Sequence, residues 1–497
     1  MKKRSLERQM AAAGTYEEWR ALAHEHDAAT GMDRWRTRDH TRLYDYEAIR
    51  ERLDRLRALR IQGDDLGLLF ALNEGIHGNM GGMGSAKLHG RAQSGTKKLV
   101  EAYVDEIVDA LEYLANLESD EIDDAEKIDF FFRVNHCFGR TALMLSGGGT
   151  LGFHHVGVVK ALHEQRMLPR VISGASAGSL IAGIIGTKTD AELDAFFDAE
   201  SLAEEANEDT GIMARTAEGP AGTIGVDSVR QMIERMIPNE TFQEAYARTG
   251  RQISISVAPA ELHQTSRLLN AITSPNVYIR TAVQASCAVP GVYPPVTLYG
   301  KNVHGESQPY LPSRRWIDGS MSDDLPAKRL ARLYGTNHTI VSLVNPVVLP
   351  FVRRVSEMNP FASGVARLGL EFTREFLNFQ RHQLAQIPRA NALNTVVAGI
   401  HGLIGQTYSG DINIIATSPF IDPRRYLGAL SEDEMMNLIQ SGERATWPHL
   451  NSIDIATKIS RTLDTILERY ERAGPMPRSG RRRSKRGPRA AKGSQAA

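Results

Sequence analysis

Residues 141–179 constrain the fold of this chain more than any other stretch. An apolar run ends at Ser146, and the three glycines that follow permit a tight turn with exposed backbone amides. A second apolar run, residues 171–173, leads into Gly174-Ala-Ser-Ala-Gly178, the Gly-x-Ser-x-Gly pattern of a nucleophile elbow. The glycine-rich turn lies directly upstream of this elbow. Together they predict a serine nucleophile beside backbone N–H donors for an oxyanion.

The pattern on either side of this stretch indicates the fold class. From residue 140 onward short apolar segments alternate with helix-like segments, which is typical of an α/β sheet. Strand candidates are residues 142–146, 171–173, 252–257, 315–317, 339–344 and 411–416. Helices are predicted from Thr15, over 46–60 and 96–117, and later over 361–381 and 392–404, with the acidic segment 118–126 as a solvated linker.

These patterns predict four regions. Residues 1–138 form an α-helical N-terminal extension, and residues 139–345 form the catalytic α/β domain. Residues 346–473 form a helical region that completes the catalytic domain, and residues 474–497 form a disordered basic tail. The tail carries eight basic residues and no acid between Arg478 and Lys492, so either attachment to an anionic membrane or an inert solvated tail stays open.

Composition excludes several classes of protein. With 59 basic and 59 acidic residues the formal net charge is zero, so no global field draws the chain to nucleic acid or anionic lipid. Two cysteines argue against a disulfide framework and fit a reducing compartment. No signal peptide is evident, and no apolar run reaches the roughly 18 residues of a membrane span. We therefore expect an intracellular, cytoplasmic protein whose membrane contact is peripheral.

The predicted nucleophile needs a base. Histidines follow it at His263, His304, His338, His382, His401 and His449. None of them lies in an obvious strand-end motif. Trp316-Ile-Asp318-Gly319 is a short apolar strand that ends in Asp-Gly, which would present a carboxylate at a strand tip. Because Asp-Gly turns are common, an ordinary turn and a catalytic carboxylate both remain open at this point.

Three motifs in order resemble the patatin-like acyl hydrolases. They are Leu145-Ser-Gly-Gly-Gly-Thr-Leu-Gly152, the elbow at Ser176, and Asp318-Gly319. Between them Ala285-Ser-Cys-Ala-Val-Pro290 is similar to the Ala-Ser-x-Ala-x-Pro segment of that family. The resemblance implies a three-layer α/β/α patatin-like sheet and a Ser–Asp dyad in place of a triad.

A narrower resemblance is to the triacylglycerol-lipase branch of that family, which has a helical N-terminal extension. The segments that carry it are Tyr16-Glu-Glu-Trp19, Tyr44-Asp-Tyr46, Asn79-Met-Gly-Gly82, Gly95-Thr-Lys97, Val344-Asn-Pro346, Tyr408-Ser-Gly-Asp411 and Gly442-Glu-Arg-Ala-Thr-Trp-Pro448. The chain departs from the family at Thr150-Leu151, where many members have Arg or Lys, and at Ser320, where Asp-Gly-Gly is frequent. The first departure removes a cationic contribution near the oxyanion and leaves the amide donors.

The resemblance also implies the roles of individual residues. Ser176 is the expected nucleophile and Asp318 its general base. The expected oxyanion turn comprises Gly147, Gly148, Gly149, Thr150, Leu151 and Gly152, and the elbow and dyad motifs add Gly174, Gly178 and Gly319. No cofactor or metal is expected, and the adjacent His154 and His155 are interpreted as structural.

The expected activity is therefore ester hydrolysis of glycerolipids, either triacylglycerol or phospholipid, at a membrane or lipid-droplet surface. Two alternatives from other classes remain. One is a non-catalytic lipid-binding scaffold of the same fold, against which the intact Ser176 and Asp318 argue. The other is a nucleic-acid binder that uses the basic tail, which would supply only salt-sensitive, sequence-independent affinity. Nothing in the sequence favours a specific nucleic-acid target or fixes an oligomeric state.

Overall fold

The protein is described by a computed structural model that covers residues 2–215, 224–261, 264–346, 348–349, 409–416 and 426–472. The N-terminal helices are α1 Lys2–Ala12, α2 Tyr16–Thr30, α3 Met32–Thr37, α4 Tyr46–Gln62, α5 Asp65–Gly75, α6 Ala86–His89, α7 Lys98–Asn116 and α8 Asp124–Phe138. Later helices are α9 Phe153–Glu164, α10 Ala177–Gly186, α11 Asp190–Phe196, α12 Ala199–Arg215, α13 Val226–Met236, α14 Phe242–Thr249, α15 Ile279–Ser286, α16 Ser320–Asp323, α17 Ala327–Tyr334, α18 Glu432–Thr446 and α19 Leu450–Arg472. The predicted helices over 361–381 and 392–404 and the basic tail lie outside the described residues.

The strands form one mixed sheet and one small hairpin. They are β1 Arg140–Leu145, β2 Val171–Gly174, β3 Gln252–Pro259, β4 Arg267–Asn270, β5 Tyr299–Lys301, β6 Ser307–Pro309, β7 Trp316–Asp318, β8 Thr336–Leu343 and β9 Ile412–Ile415. Strands β3, β2, β1, β8 and β9 are adjacent in that order and parallel, while β4 and β7 pair antiparallel with β3. The six predicted strands all occur, each within a few residues of its predicted ends.

Helices cover both faces of this sheet, as the fold class predicts. On β1, Leu143 and Leu145 pack with α9, α10 and α15 in one apolar cluster. The alternate residues Ala142 and Met144 pack in a second cluster on the other face, which includes α17. Side chains that alternate along a strand point to opposite faces of a sheet, so this division gives the three-layer α/β/α arrangement.

The N-terminal helices have their own core, and the last described helix shares it. Helices α4, α5, α7 and α8 bury a set of apolar side chains together with Ile459, Leu463 and Ile466 of α19. Helix α8 ends at Phe138, two residues before β1 begins. The segment 118–126 is not wholly solvated: Ile122 is buried, and Asp123 caps α8 by accepting the N–H of Glu126.

In the described part of the chain, no helix is both long and apolar enough to cross a bilayer.

Candidate active site

Ser176 occupies the turn between β2 and α10. Strand β2 ends at Gly174 and α10 begins at Ala177, so two residues connect the strand to the helix. Ser176 has φ +50° and ψ −123°, a conformation that costs a non-glycine residue roughly 1–3 kcal/mol. Its side chain lies at the N-terminus of α10, where the helix dipole favours developing negative charge. This is the geometry that the Gly-x-Ser-x-Gly pattern predicts.

The two glycines of the elbow are required by close backbone contacts. A Cβ atom on Gly174 would overlap the carbonyl oxygen of Gly178, and a Cβ on Gly178 would overlap the carbonyl oxygen of Leu145. Each position therefore accepts only a residue without a side chain. The contact with Leu145 draws the start of α10 onto the end of β1, where the glycine-rich turn begins.

Asp318 lies at the end of β7 and faces the same turn. Its side chain is buried, and its carboxylate accepts hydrogen bonds from the side chain of Ser176 and from the backbone N–H of Ser320, the latter at 2.8 Å. Burial raises the pKa of the Asp318 carboxyl to about 6, while the hydrogen bonds from the two serines oppose that rise. The carboxylate is thus paired with Ser176 and poised to take up a proton near neutral pH.

The glycine-rich turn lies beside the serine. A Cβ built on Gly147 would lie 3.2 Å from the Cβ of Ser176, so the turn is in direct contact with the elbow. Two of its amides already have acceptors: Gly147 N–H donates to Asp324 Oδ1 at 2.7 Å, and Leu151 N–H donates to the carbonyl of Gly148 at 3.2 Å. Within the residues that the structure describes, the N–H groups of Gly148 and Gly149 donate no hydrogen bond to another segment.

The histidines that follow Ser176 do not supply a base among the described residues. His304 is exposed, the ring of His338 contacts the hydroxyl of Thr141 at 3.3 Å, and His449 is half-buried, with its pKa lowered by desolvation. No described histidine hydrogen-bonds to Asp318 or Ser176. His263, His382 and His401 lie outside the described residues.

His155 is a structural residue, as the sequence interpretation holds. Its Nε2 lies 2.9 Å from the carbonyl oxygen of Ser146, which can only accept, so Nε2 carries the proton. Its Nδ1 then accepts from the hydroxyl of Ser342 at 2.7 Å. Burial lowers the pKa of His155 to about 4 and that of its neighbour His154 to about 3, so both rings are neutral. The bonds of His155 join β1 to β8 beneath the glycine-rich turn.

The thiol of Cys287 is also close to the elbow. It donates to the carbonyl of Ser176 at 3.5 Å. Burial, and to a lesser extent the charge of Asp318, raises the pKa of this thiol to about 12. A thiol that stays protonated at neutral pH is a poor nucleophile, so Cys287 does not compete with Ser176.

An apolar cavity of about 140 Å³ opens at Ser176. It follows α10 from Ala177 to Ile185, and it follows α9 from Phe153 to Val159. Since a helix rises ~1.5 Å per residue, the nine steps from Ser176 to Ile185 mean that the lining residues of α10 extend along about 13 Å of the helix. Residues of α12 and α13, among them Leu202, Met213, Met232 and Met236, close the opposite wall. The cavity is shaped to hold an alkyl chain whose polar end lies at the serine.

The described lining of the cavity includes charged side chains at one position, on α12. Glu205 and Asp209 of α12 lie there, and both pair with Arg235 of α13, which also contacts Glu208 at 3.0 Å. Burial raises the pKa of the Asp209 carboxyl to about 6. Because one arginine faces three carboxylates, this cluster joins α12 to α13 and keeps a net negative charge beside the cavity lining.

Three residues of the site were not singled out from the sequence. Ser286 accepts the N–H of Ser176, Ser320 donates to Asp318, and Asp324 fixes Gly147. Ser286 belongs to the Ala-Ser-x-Ala-x-Pro segment and Ser320 directly follows Asp-Gly, so both lay within recognised motifs. Nothing in the sequence pointed to Asp324, because its role depends on where α16 meets the glycine-rich turn.

Comparison with known proteins decides the family. Residues 143–331 match the family model described as patatin-like phospholipase, and residues 1–136 match a domain of unknown function, DUF3336. The chain belongs to the patatin-like family. The two matched segments correspond to the sheet that bears Ser176 and Asp318 and to the N-terminal helices.

Several curated relatives extend this similarity over most of the chain. Triacylglycerol lipase SDP1L of Arabidopsis thaliana is 33% identical over 93% of this chain and 59% of its own length. Triacylglycerol lipase 4 of Saccharomyces cerevisiae is 32% identical over 89% of this chain and 50% of its own length. Triacylglycerol lipase ptl3 of Schizosaccharomyces pombe is 29% identical over 90% of this chain and 94% of its own length. The chain thus spans only about half the length of the first two of these relatives.

Proposed function

We propose that this patatin-like chain is a serine acyl hydrolase that cleaves carboxylic esters of glycerolipids through a Ser176–Asp318 dyad and an acyl-enzyme. The observation that carries the proposal is the pairing of a strained serine with a buried carboxylate at the opening of an apolar cavity. A non-catalytic scaffold would have no need for a strained nucleophile elbow or for a carboxylate buried at a cost in stability.

In the first half of the reaction, Ser176 Oγ attacks the ester carbonyl and its proton passes to the ionised carboxylate of Asp318. The carbonyl oxygen becomes an oxyanion that accepts hydrogen bonds from the N–H groups of Gly148 and Gly149. The engaged amides of Gly147 and Leu151 do not take part, and their hydrogen bonds hold the turn in place. When the tetrahedral intermediate collapses, Asp318 returns the proton to the leaving alkoxide.

In the second half, a water molecule attacks the acyl-enzyme and Asp318 accepts its proton. The new oxyanion collapses, the bond to Ser176 Oγ breaks, and the proton on Asp318 returns to that oxygen. A carboxylate with an ordinary pKa near 3.9 would be a weak base for both steps. The raised pKa of Asp318 brings its basicity closer to the operating pH, which favours proton transfer.

The substrate class follows from the cavity together with the relatives. The cavity lining is mostly apolar and follows α10 for about 13 Å beyond Ser176, which suits a long acyl chain; Glu205 and Asp209 are the charged residues of the described lining. Relatives that carry the name triacylglycerol lipase favour a glycerolipid, triacylglycerol or phospholipid, as its source. Such lipids do not dissolve as single molecules, so we propose that the protein acts at a membrane or lipid-droplet surface.

A covalent probe tests this proposal directly. A fluorophosphonate that reacts with activated serines should label the wild-type chain and leave Ser176→Ala unlabelled. Ser460→Ala is the matched control, since this buried serine of α19 donates to the carbonyl of Thr457 at 3.0 Å and lies away from the site. It should keep its label. Hydrolysis of a soluble short-chain ester should follow the same pattern, and substantial turnover by folded Ser176→Ala would overturn the assignment.

A further inference from the structure

Three separate segments line the apolar cavity and also reach the protein surface. The hydroxyl of Tyr293 donates to the carbonyl of Ile224 at 2.9 Å, and the N–H of Ile224 donates to the carbonyl of Leu427 at 2.8 Å. These three residues also line the cavity, together with Ser176 and Cys287. The segments 224–226, 288–296 and 426–429 are therefore held together as one surface, which we call the mouth rim.

One part of the mouth rim, residues 289–292, is a tight turn whose conformation is specified by its sequence. Val289-Pro-Gly-Val292 has Pro and Gly at the two central positions, Gly291 has φ +81°, and the N–H of Val292 donates to the carbonyl of Val289 at 3.1 Å. These are the features of a type II β-turn. The turn follows Cys287 by two residues, so a rigid connection fixes Val292 near the elbow.

The mouth rim exposes apolar side chains to solvent. Val292 is 41% exposed, and Val226, on the neighbouring segment, is 46% exposed. Pro294 and Pro295 are exposed as well. No charged residue occurs in the three segments, and the hydroxyl of Tyr293 donates its hydrogen bond within the protein, to Ile224. Exposed apolar side chains that cluster around a cavity opening indicate an interaction site rather than scattered surface residues.

The charges that border the mouth rim indicate which surface it fits. Asp227 follows Val226 and pairs with Arg230 at 2.9 Å, so that pair is neutral. On the third segment, the first turn of α18 exposes Glu432 and Asp433 a few residues after the rim ends. In the sequence Arg424 and Arg425 directly precede the third segment, so the acidic and basic residues that border the rim offset each other. Such a border has no excess of basic residues to attract an anionic bilayer, so the rim fits a lipid surface without net charge through its apolar side chains.

We propose that the mouth rim docks on the surface of lipid that carries no net charge, with Val226 and Val292 inserted into it. This inference rests on the proposed ester hydrolysis and names the surface from which that site takes its substrate. Docking in this orientation would place the cavity opening against the lipid. An acyl chain could then pass from the lipid to the cavity without crossing water.

Substitutions at the two exposed valines test the docking. Val292→Asp and Val226→Asp place a charge on the rim without changing a residue that lines the cavity, and Asp is well tolerated in the first turn of α13. The matched control is Val303→Asp, at a valine that is 95% exposed in the turn of the β5–β6 hairpin. The hairpin pairs with Val277, near the start of α15, whereas Ser286, at the end of α15, contacts the elbow. Val303 therefore lies near the end of α15 that is away from the elbow.

The measurement is binding of the full chain to triolein emulsions coated with phosphatidylcholine, at a salt concentration that screens the basic tail. Each rim variant should bind about tenfold more weakly than the wild type, because a valine no longer transfers from water to lipid. Val303→Asp should bind like the wild type, and Val292→Leu should bind at least as well. Hydrolysis of a soluble short-chain ester should be unchanged in all of them.

The outcomes separate this inference from the proposed function. Binding of Val292→Asp and Val226→Asp at the wild-type level, or an equal loss in Val303→Asp, would overturn the docking. A second emulsion containing phosphatidylserine tests the choice of surface: a rim contribution that grows with the anionic lipid would overturn it. Emulsion binding by Ser176→Ala should stay at the wild-type level, since this variant lacks only the nucleophile. Failure of the catalytic proposal would instead appear as soluble-ester turnover by Ser176→Ala.

Discussion

The backbone N–H of Ser176 donates a hydrogen bond of 2.9 Å to the hydroxyl of Ser286, which lies 110 residues further along the chain. That hydroxyl donates in turn to the carbonyl of Ser256 on β3, at 2.8 Å. Ser176 has a positive φ, which a serine leaves readily unless its surroundings hold it there. The two hydrogen bonds therefore anchor the strained elbow to the sheet.

We predict that Ser286→Ala lowers kcat for a soluble ester about tenfold and leaves KM nearly unchanged. The variant removes both buried hydrogen bonds of the Ser286 hydroxyl, each worth ~1 kcal/mol, and so frees the backbone that positions the nucleophile. Ser460→Ala is the control, since this buried serine of α19 donates to the carbonyl of Thr457 at 3.0 Å, away from the site. Equal losses of kcat in the two variants, or a rise in KM alone, would contradict a positioning role for Ser286.

The pH dependence of hydrolysis should report Asp318. Only the ionised carboxylate can accept the proton of Ser176, and burial raises its pKa to about 6. We predict that kcat/KM for a soluble ester rises with pH, with a midpoint near 6, and levels off above it. Since kcat/KM reports groups of the free enzyme, the profile should be measured as kcat/KM. His449→Ala should keep this midpoint, and a midpoint that disappears in that variant would favour a histidine as the base.

The side chain of Ser320 should influence the midpoint of the pH profile of kcat/KM. Its backbone N–H donates to Asp318 Oδ1 at 2.8 Å, and its side chain makes a second hydrogen bond that lowers the pKa of Asp318. Ser320→Gly keeps the first bond and loses the second, so the ionised carboxylate is less stabilised. We predict that the midpoint of kcat/KM moves to higher pH while KM stays the same. Ser322→Gly, in the same short helix, should leave the midpoint in place, because the Ser322 hydroxyl contacts the carbonyl of Gly319.

The strands, and the positions of Ser176 and Asp318 at strand ends, could be predicted from the sequence because their signals are local. Apolar runs of strand length, the glycines around Ser176 and the Asp-Gly after β7 each lie within a few residues. Strand β4, with Arg267 and Asn270 at its ends, was missed because it is a short edge strand with polar termini. Strands β5 and β6 have three residues each, too few for any periodicity.

The cavity and the mouth rim could not be predicted for a different reason. Hydrophobic periodicity shows that α12 and α13 have apolar faces, but it does not show which surface each face meets. The rim depends on hydrogen bonds that join Ile224, Tyr293 and Leu427, which lie far apart in the sequence. The packing of α19 on the N-terminal helices could not be predicted either, because the apolar periodicity of a helix does not identify the surface that it packs against.

The buried carboxylate of Asp318, which we propose to be the catalytic base, should destabilise the fold at neutral pH. An unfolded aspartate titrates near 3.8 and Asp318 near 6, so between these values the folded state binds more protons and stability falls as pH rises. At about 1.4 kcal/mol per pKa unit, the ionised group costs roughly 3 kcal/mol above pH 6. Asn has the same shape, no charge, and an oxygen that can still accept the N–H of Ser320.

We therefore predict that Asp318→Asn is inactive yet has a higher Tm than the wild type at pH 8, and that this difference shrinks as the pH falls toward 4. Tm measured across this range by differential scanning fluorimetry checks the prediction. Ser176→Ala serves as the control, because it is expected to be inactive while keeping the charge of Asp318. It should show no comparable gain in Tm at pH 8. A lower Tm for Asp318→Asn at pH 8, or an increase in Tm that does not depend on pH, would show that the ionised carboxylate does not destabilise the fold.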